Sequence, residues 1–213
     1  MNNYSICQIS SKETYQWLLN IHYAKRIPNI MFAYGLYKLN ELVGIVTYGK
    51  PASNSLCIGV CGKENSKYVI ELNRLCLRYN KKNEASFLVS NSLRLLPKPK
   101  IIVSYADTKQ THIGYIYQAT NFLYTGLSAK RTDVDTGNKH GRHYSKVLDK
   151  TKRVVRSQKH RYIIFVGNKR QKKHFLNNLR YKIQEYPKGD IEYYKIDKKI
   201  FTQLSLIDIN DGS

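Results

Sequence analysis

A chain of 213 residues with 42% hydrophobic side chains is long enough to bury one full core, and no apolar run in it is long enough to cross a bilayer. Thirty-six Lys and Arg against fifteen Asp and Glu leave a formal net charge of +21, a surplus that calls for a polyanionic partner to offset its self-repulsion. With no lipid anchor or basic amphipathic membrane helix, nucleic acid is the first candidate, and a Lys-, Asn-, Ile- and Tyr-rich coding background is the competing source of the charge.

In chain order, TYQWLLN (Thr14–Asn20) predicts a helix, followed by the polar-aromatic break HYAKRIPN. MFAYGLYKLNELVGIVTYGKP then reads as two antiparallel strands joined by a turn at Lys38–Glu41. SKYVIELNRLCLRY is a further strand, whose alternation puts Glu71 and Asn73 on one face and Arg74 on the other. A cleft lining and a buried Glu71–Arg74 ion pair are the two readings of those charges. EASFLVSNSLRLLP has helical spacing and is closed by Pro97. KIIVSYAD is a continuous apolar run, as a strand covered on both faces would be, and it stops on an acid, Asp107. HIGYIYQATNF predicts a short helix and LYTG restarts a strand.

From Lys130 to Lys182 seventeen Lys and Arg face only three acids, and this block still holds a strand, RYIIFVG, and a helix, KRQKKHFLNNL. A basic block with an apolar strand inside it points to a nucleic-acid surface integrated with the core. The expected division is a core over 1–129, a basic region over 130–190 and a tail over 191–213. The four cysteines, Cys7, Cys57, Cys61 and Cys76, form no CxxC pair, and the N-terminus lacks a signal peptide's apolar block. A cytoplasmic setting with reduced thiols follows as the expectation.

The order helix, hairpin, strand, helix, strand, helix, strand is an α/β fold with a mixed, mostly antiparallel sheet flanked by helices. It matches the layout of acyl-CoA-dependent N-acyltransferases of the GNAT type, in which a central strand leads to a helix whose N-terminal N–H groups hold the CoA pyrophosphate. Within that order the residues HYAKRIP (His22–Pro28), FAYGLY, VGIVTYGKP, ELNRLCL, VSYAD and GYIYQATNF, with KHRYIIFVGNKRQKKHFLNNLRYKIQEYPKG behind them, resemble the Mom family of phage DNA-modification proteins. The resemblance spans roughly Ile21 to Gly189, and six motifs in register carry it.

The resemblance implies a GNAT-like fold and a transferase that adds a small acetamido or methylcarbamoyl-type group to N6 of adenine in DNA, shielding phage DNA from restriction in the bacterial host cytoplasm. It implicates acetyl-CoA as donor and associates iron with the family. The family's important residues fall at His22, Tyr23, Arg74, Asp107 and Tyr117, with Ser86 where a CoA phosphate contact is expected. The segment RYNKKNEAS offers no glycine-rich pyrophosphate loop, so phosphate binding falls to helix N–H groups helped by Lys81 and Lys82, with Asn73 and Arg74 beside them.

As chemistry, adenine's amino group is a poor nucleophile that needs a base and charge-stabilising donors. Asp107 is the expected base, with an N-cap for the following helix as the alternative. Tyr117 is the expected proton donor to a leaving thiolate, with core packing as the alternative. If iron is present, His22 and Asp107 are its first expected ligands, although no compact metal motif accompanies them. The partner is double-stranded DNA with the target adenine flipped out, since N6 takes part in base pairing. Tyr23, Tyr34, Tyr48, Tyr105 and Tyr124 are the stacking candidates, no more than two of them expected to serve. Arg142, Lys146, Lys152, Arg153, Arg156, Lys159, Arg161, Lys169, Arg170, Lys172 and Lys173 are expected to hold phosphates. A GNAT-like acyltransferase for a small-molecule or protein amine, and a non-enzymatic DNA-binding protein on the same fold, are the competing readings.

Overall fold

The computed structural model describes residues 3–134 and 153–189. Arg142, Lys146 and Lys152, and the tail expected over 191–213, lie outside the described residues. The strands in chain order are β1 (Tyr4–Gln8), β2 (Phe32–Lys38), β3 (Glu41–Gly49), β4 (Val69–Leu77), β5 (Lys100–Asp107), β6 (Leu123–Leu127), β7 (Arg131–Val134), β8 (Arg153–Arg156) and β9 (Lys159–Val166). The helices are α1 (Asn54–Cys61), α2 (Glu84–Leu95), α3 (Tyr115–Ala119) and α4 (Lys169–Asn177). Seven strands form one sheet in the order β1-β2-β3-β4-β5-β9-β6, while β7 and β8 form a separate two-stranded ribbon.

This is the expected α/β layout with a mixed, mostly antiparallel sheet flanked by helices, with a single parallel pairing, β4 with β5, among antiparallel neighbours. β9 sits between β5 and β6, so the sheet draws strands from both sides of residue 130. One face is covered by α2 and α3, around Leu72, Leu88, Val89, Ile102, Phe122 and Tyr162. On the other face Val60 and Cys61 of α1 and Phe175 of α4 pack against Val69, Ile101, Val103, Ile163 and Phe165. Leu39 and Asn40 make the β2–β3 turn with φ of 48° and 75°, the left-handed backbone that a two-residue hairpin needs.

Two departures from regular pairing shape the centre of the sheet. β4 and β5 pair only over Val69–Glu71 with Ile101–Val103; beyond that β5 continues along β9 and the two parallel strands part. In β4, Thr47 stands opposite Arg74 and Tyr48 opposite Leu72, which leaves Asn73 as a bulge without a partner on β3. The bulge resets the alternation, so Glu71 and Arg74 line the same cleft instead of opposite faces. The Asn73 amide holds it in place, accepting from the Thr47 hydroxyl (2.6 Å) and donating to the Asn29 carbonyl (2.8 Å). Asn73 is therefore a brace of the bulge. Gly49 completes the joint, because a Cβ there would overlap the Asn29 carbonyl.

The helix expected over Thr14–Asn20 is present within one helical stretch, in which a 3₁₀ turn, Lys12–Thr14, runs through helical Tyr15 and Gln16 into a π turn, Trp17–Ile21. The His22 N–H closes the π turn on the Trp17 carbonyl (2.9 Å), and His22 leaves it extended at ψ 132°. β1, α1 and the β7–β8 ribbon escaped the sequence reading. Past α4 the chain straps the edge strand β6. The Arg180 N–H donates to Val60, the Gln184 N–H to Tyr124 and the Tyr186 hydroxyl to Phe122; the Tyr115 hydroxyl of α3 then donates to Gly189. The strap closes an edge that would otherwise be open to strand addition.

Candidate active site

Where β4 and β5 part, a cleft of about 410 Å³ opens, lined by β4 from Glu71 to Leu77, by Tyr105 and Ala106 of β5, by the His22–Tyr23 corner and by α3. Its lining residues come from both faces of the sheet: Ala85, Ile116 and Tyr117 from the side of α2 and α3, Tyr105 from that of α1 and α4. Cleft geometry therefore follows from the β4–β5 splay and the Asn73 bulge.

The Glu71 carboxyl group has no hydrogen bond or ion pair among the described residues. Burial raises its carboxyl above the ordinary glutamate range, against the opposing pull of Arg74, Lys159 and Arg26. The expected Glu71–Arg74 ion pair is absent. Arg74 itself donates one N–H to the Asn73 carbonyl, while its Nε and Nη2 are buried without a partner. A guanidinium left with unmet donors in a cleft is costly unless a ligand oxygen meets it.

His22 is 8% exposed, and its Nδ1 accepts the Ala24 N–H at 3.0 Å. Burial first, then the charges of Arg74, His112 and Lys25, push it down to about 4, so the ring is neutral at pH 7. With Nδ1 accepting, the ring proton sits on Nε2, and His22 is a hydrogen-bond donor. Tyr23 stacks on His22 (4.4 Å between ring centres) and is 56% exposed at the cleft mouth.

Tyr117 lies half-buried on α3 with its ring against Phe122 and Tyr162. Burial pushes its hydroxyl up to about 12, while a hydrogen bond with Ser104 opposes the rise. It combines the packing role with a place in the cleft lining.

Asp107 stands at the end of β5 with its carboxylate fully engaged. Oδ1 accepts from the Lys109 N–H (3.0 Å) and the Ser157 hydroxyl (2.6 Å), and Oδ2 pairs with Lys159 (3.3 Å). Burial raises its carboxyl, but Ser157, the Lys109 N–H and Lys159 outweigh it and hold it below the ordinary aspartate range. The capping alternative is what the structure displays, and a carboxylate so satisfied is a weak base. Nor do His22 and Asp107 suit iron. The lone pair on His22 Nδ1 is taken, the Asp107 oxygens are committed, and no group of three His, Cys, Asp or Glu among the described residues is placed to hold a metal ion.

At the N-terminus of α2 a shallower hollow, lined by Asn80, Lys81, Asn83, Ala85, Ser86, Tyr115, Ile116 and Ala119, continues from the cleft. The missing glycines are replaced by Asn80 and Asn83, with φ of 42° and 68°, since asparagine tolerates the left-handed backbone that the turn requires. Ser86 spends its hydroxyl on the Asn83 carbonyl (3.2 Å), and the buried Glu84 carboxylate accepts the Lys81 N–H. First-turn N–H groups of α2 are what this hollow offers to a phosphate. Lys82 is exposed beside it.

The stacking candidates divide cleanly. Tyr34, Tyr48 and Tyr124 are 1%, 0% and 6% exposed, which removes them from any contact with a base. Tyr23 and Tyr105 remain, both in the cleft lining. Arg161 also leaves the phosphate-binding set: its guanidinium donates to the Thr125 hydroxyl and carbonyl (2.9 Å each) and stacks on Tyr181 at 3.4 Å. The other described basic residues fall at the two ends of β9, with Arg153, Arg156 and Lys159 at the cleft end and the exposed Lys169, Arg170, Lys172 and Lys173 of α4 beyond the far end. Glu71 is the site residue that sequence reasoning undervalued, because only the bulge reveals that it and Arg74 share a cleft.

Known proteins are similar to this chain. The Mom protein family matches residues 3–188. The methylcarbamoylase mom of Escherichia phage Mu is 27% identical over 188 residues, covering 78% of this chain and 76% of that protein. Among solved structures, a Bacillus subtilis acetyltransferase in complex with CoA has a TM-score of 0.45 at 14% identity, covering 76% of this chain and 97% of its own. A putative acetyltransferase from Salmonella typhimurium with its cofactor acetyl-CoA has a TM-score of 0.47 at 10% identity, covering 78% and 96%.

Proposed function

This chain belongs to the Mom protein family, and from that premise and the cleft we propose that it is a DNA-modifying transferase. It places a small acetamido or methylcarbamoyl-type group on N6 of adenine, takes acetyl-CoA as donor, and so shields phage DNA from restriction. The observation that carries this reading is the meeting of an unpaired carboxyl, Glu71, and a guanidinium with unmet donors, Arg74, in a cleft that continues to the α2 N-terminus. The formal charge of +21 supports DNA as the substrate.

A flipped adenine enters between the rings of Tyr23 and Tyr105. Forming the new N6–C bond releases one N6 proton, which passes to Glu71; a carboxyl raised by burial is a better base than an ordinary one. Arg74 and the Nε2–H of His22 donate to the oxygen on which negative charge builds. Bound acetyl-CoA would supply the acetyl carbons, its C–S bond breaking to a thiolate as the N6–C bond forms, and the nitrogen of a methylcarbamoyl-type group would come from a separate amine donor; the first turn of α2, with Lys81 and Lys82, would hold the CoA phosphates. Tyr117, which holds its proton at neutral pH, gives it to that thiolate in this reading. Iron has no part in these steps.

The test is mass spectrometry of nucleosides from plasmid DNA of cells expressing the protein, with Glu71→Gln and Asp107→Ala beside it. A heavier deoxyadenosine that appears with the intact protein and disappears with Glu71→Gln is the expected result. Unmodified DNA from soluble, folded protein would overturn the reading, and labelled acetyl-CoA with small amines would then probe the acyltransferase alternative.

A further inference from the structure

The β7–β8 ribbon belongs neither to the main sheet nor to the cleft, yet it is rooted at the cleft's rim. Directly after β8, the Ser157 hydroxyl donates to Asp107 and the Gln158 carbonyl accepts from the Thr108 N–H (3.2 Å) and hydroxyl (2.6 Å). Gln158 also donates to the Ser128 carbonyl (2.7 Å), and the Lys159 N–H to the Ser128 hydroxyl (2.9 Å). These bonds fasten both legs of the ribbon to the end of β5, the strand that lines the cleft.

The ribbon is exposed in a way that nothing among the described residues explains. All four residues of β8 are exposed, Val155 at 74% and Val154 at 49%. Its register pairs Arg131 with Arg156 on one face and Val134 with Arg153 on the other. Arg156 is steadied by Asp133 (3.1 Å), and Arg153 donates to the Thr132 hydroxyl (2.8 Å) and carbonyl (3.0 Å). Arg131 has no hydrogen bond or ion pair among the described residues, and its charge is felt by Tyr105 in the cleft.

We propose that this ribbon is the element that seats the DNA, entering the major groove so that its arginines meet phosphates and base edges while its valines meet thymine methyl groups. The proposal rests on the DNA reading given above. A two-stranded ribbon has the width that the major groove admits, and three arginines against one acid give it the complementary charge. Asp107 is then a positioning residue: it pins the ribbon's root to the strand that lines the cleft. The α4 cluster sits past the other end of β9, roughly 25 Å away at the usual rise per residue, outside the ribbon's reach.

The test uses the full chain and a fluorescent 20-base-pair duplex (length about two helical turns), titrated at several salt concentrations. Arg131→Ala with Arg156→Ala is compared with Lys172→Ala with Lys173→Ala, which removes the same charge from α4. The expected result is a loss of tenfold or more for the ribbon pair, with the slope of log affinity against log salt reduced by about 2. The α4 pair changes affinity by less than about threefold, under 0.7 kcal/mol. Guanine N7 atoms under the intact protein are protected from dimethyl sulfate, and the ribbon pair loses that protection. Equal losses for the two pairs, or N7 atoms left reactive under bound protein, would overturn the ribbon while leaving DNA as the substrate. Failure of the intact protein to bind the duplex at low salt would overturn the DNA reading itself.

Discussion

Glu71 and His22 separate two duties that their neighbourhood could have confused. Glu71→Gln keeps the shape of the cleft and removes the proton acceptor, so turnover is expected to fall roughly 10²–10⁴-fold while duplex affinity holds. The pH profile distinguishes this from a packing defect. In the intact protein the acid limb of kcat/KM lies above the ordinary glutamate value, and in Glu71→Gln that limb is absent. His22 works through its neutral form. Its folded value of about 4 lies below the ordinary 6.5, so the unfolded chain binds the extra proton between those values. Stability is therefore complete above 6.5 and is lost as pH falls toward 4, by about 3 kcal/mol. His22→Gln, which can still accept the Ala24 N–H, is expected to flatten that part of the profile in urea denaturation at pH 7.5 and 4.5.

At the scale of elements, the legibility of the sequence follows physical scale as well. Strands with strong periodicity, β2 through β5 and β9, and the helix α2 were readable from pattern. α1 was not, because Ile58, Gly59 and Val60 are poor helix formers and only the Ser53 cap, accepting the Leu56 N–H, marks its start. β7 and β8 are short, charged and exposed, without the alternation that marks a half-buried strand. Of the site, His22, Tyr23, Arg74 and Tyr117 were placed in the cleft by motif, whereas Glu71's role depended on a bulge that period-two counting cannot foresee. The asparagine turn before α2 gives its own prediction. Asn83→Gly preserves the left-handed turn, while Asn83→Val is expected to cost about 1–2 kcal/mol and lower the melting temperature by several degrees.

For the whole molecule, the distribution of charge decides more than its total. Lys159 and the ribbon arginines stand at the cleft end of β9, so on the proposed reading the field that would draw DNA in is concentrated beside the cleft. Raising salt from 50 to 200 mM is expected to weaken duplex binding at least a hundredfold, and fluorescence anisotropy checks it. No helix among the described residues is long and apolar enough to cross a membrane.

The strap has a consequence in the order of synthesis. A ribosome delivers β1 through β6 first, but β9 must slip between β5 and β6, and residues 179–189 must then cross that edge to reach α3. A nascent chain of 150 residues thus possesses Glu71, Arg74 and Tyr117 without the strand and strap that fix β5 and α3 around them. On the proposed reading the tools of the reaction are translated early and assembled late, once the roughly hundred ångströms of extended chain from β9 to residue 189 have been wound into place.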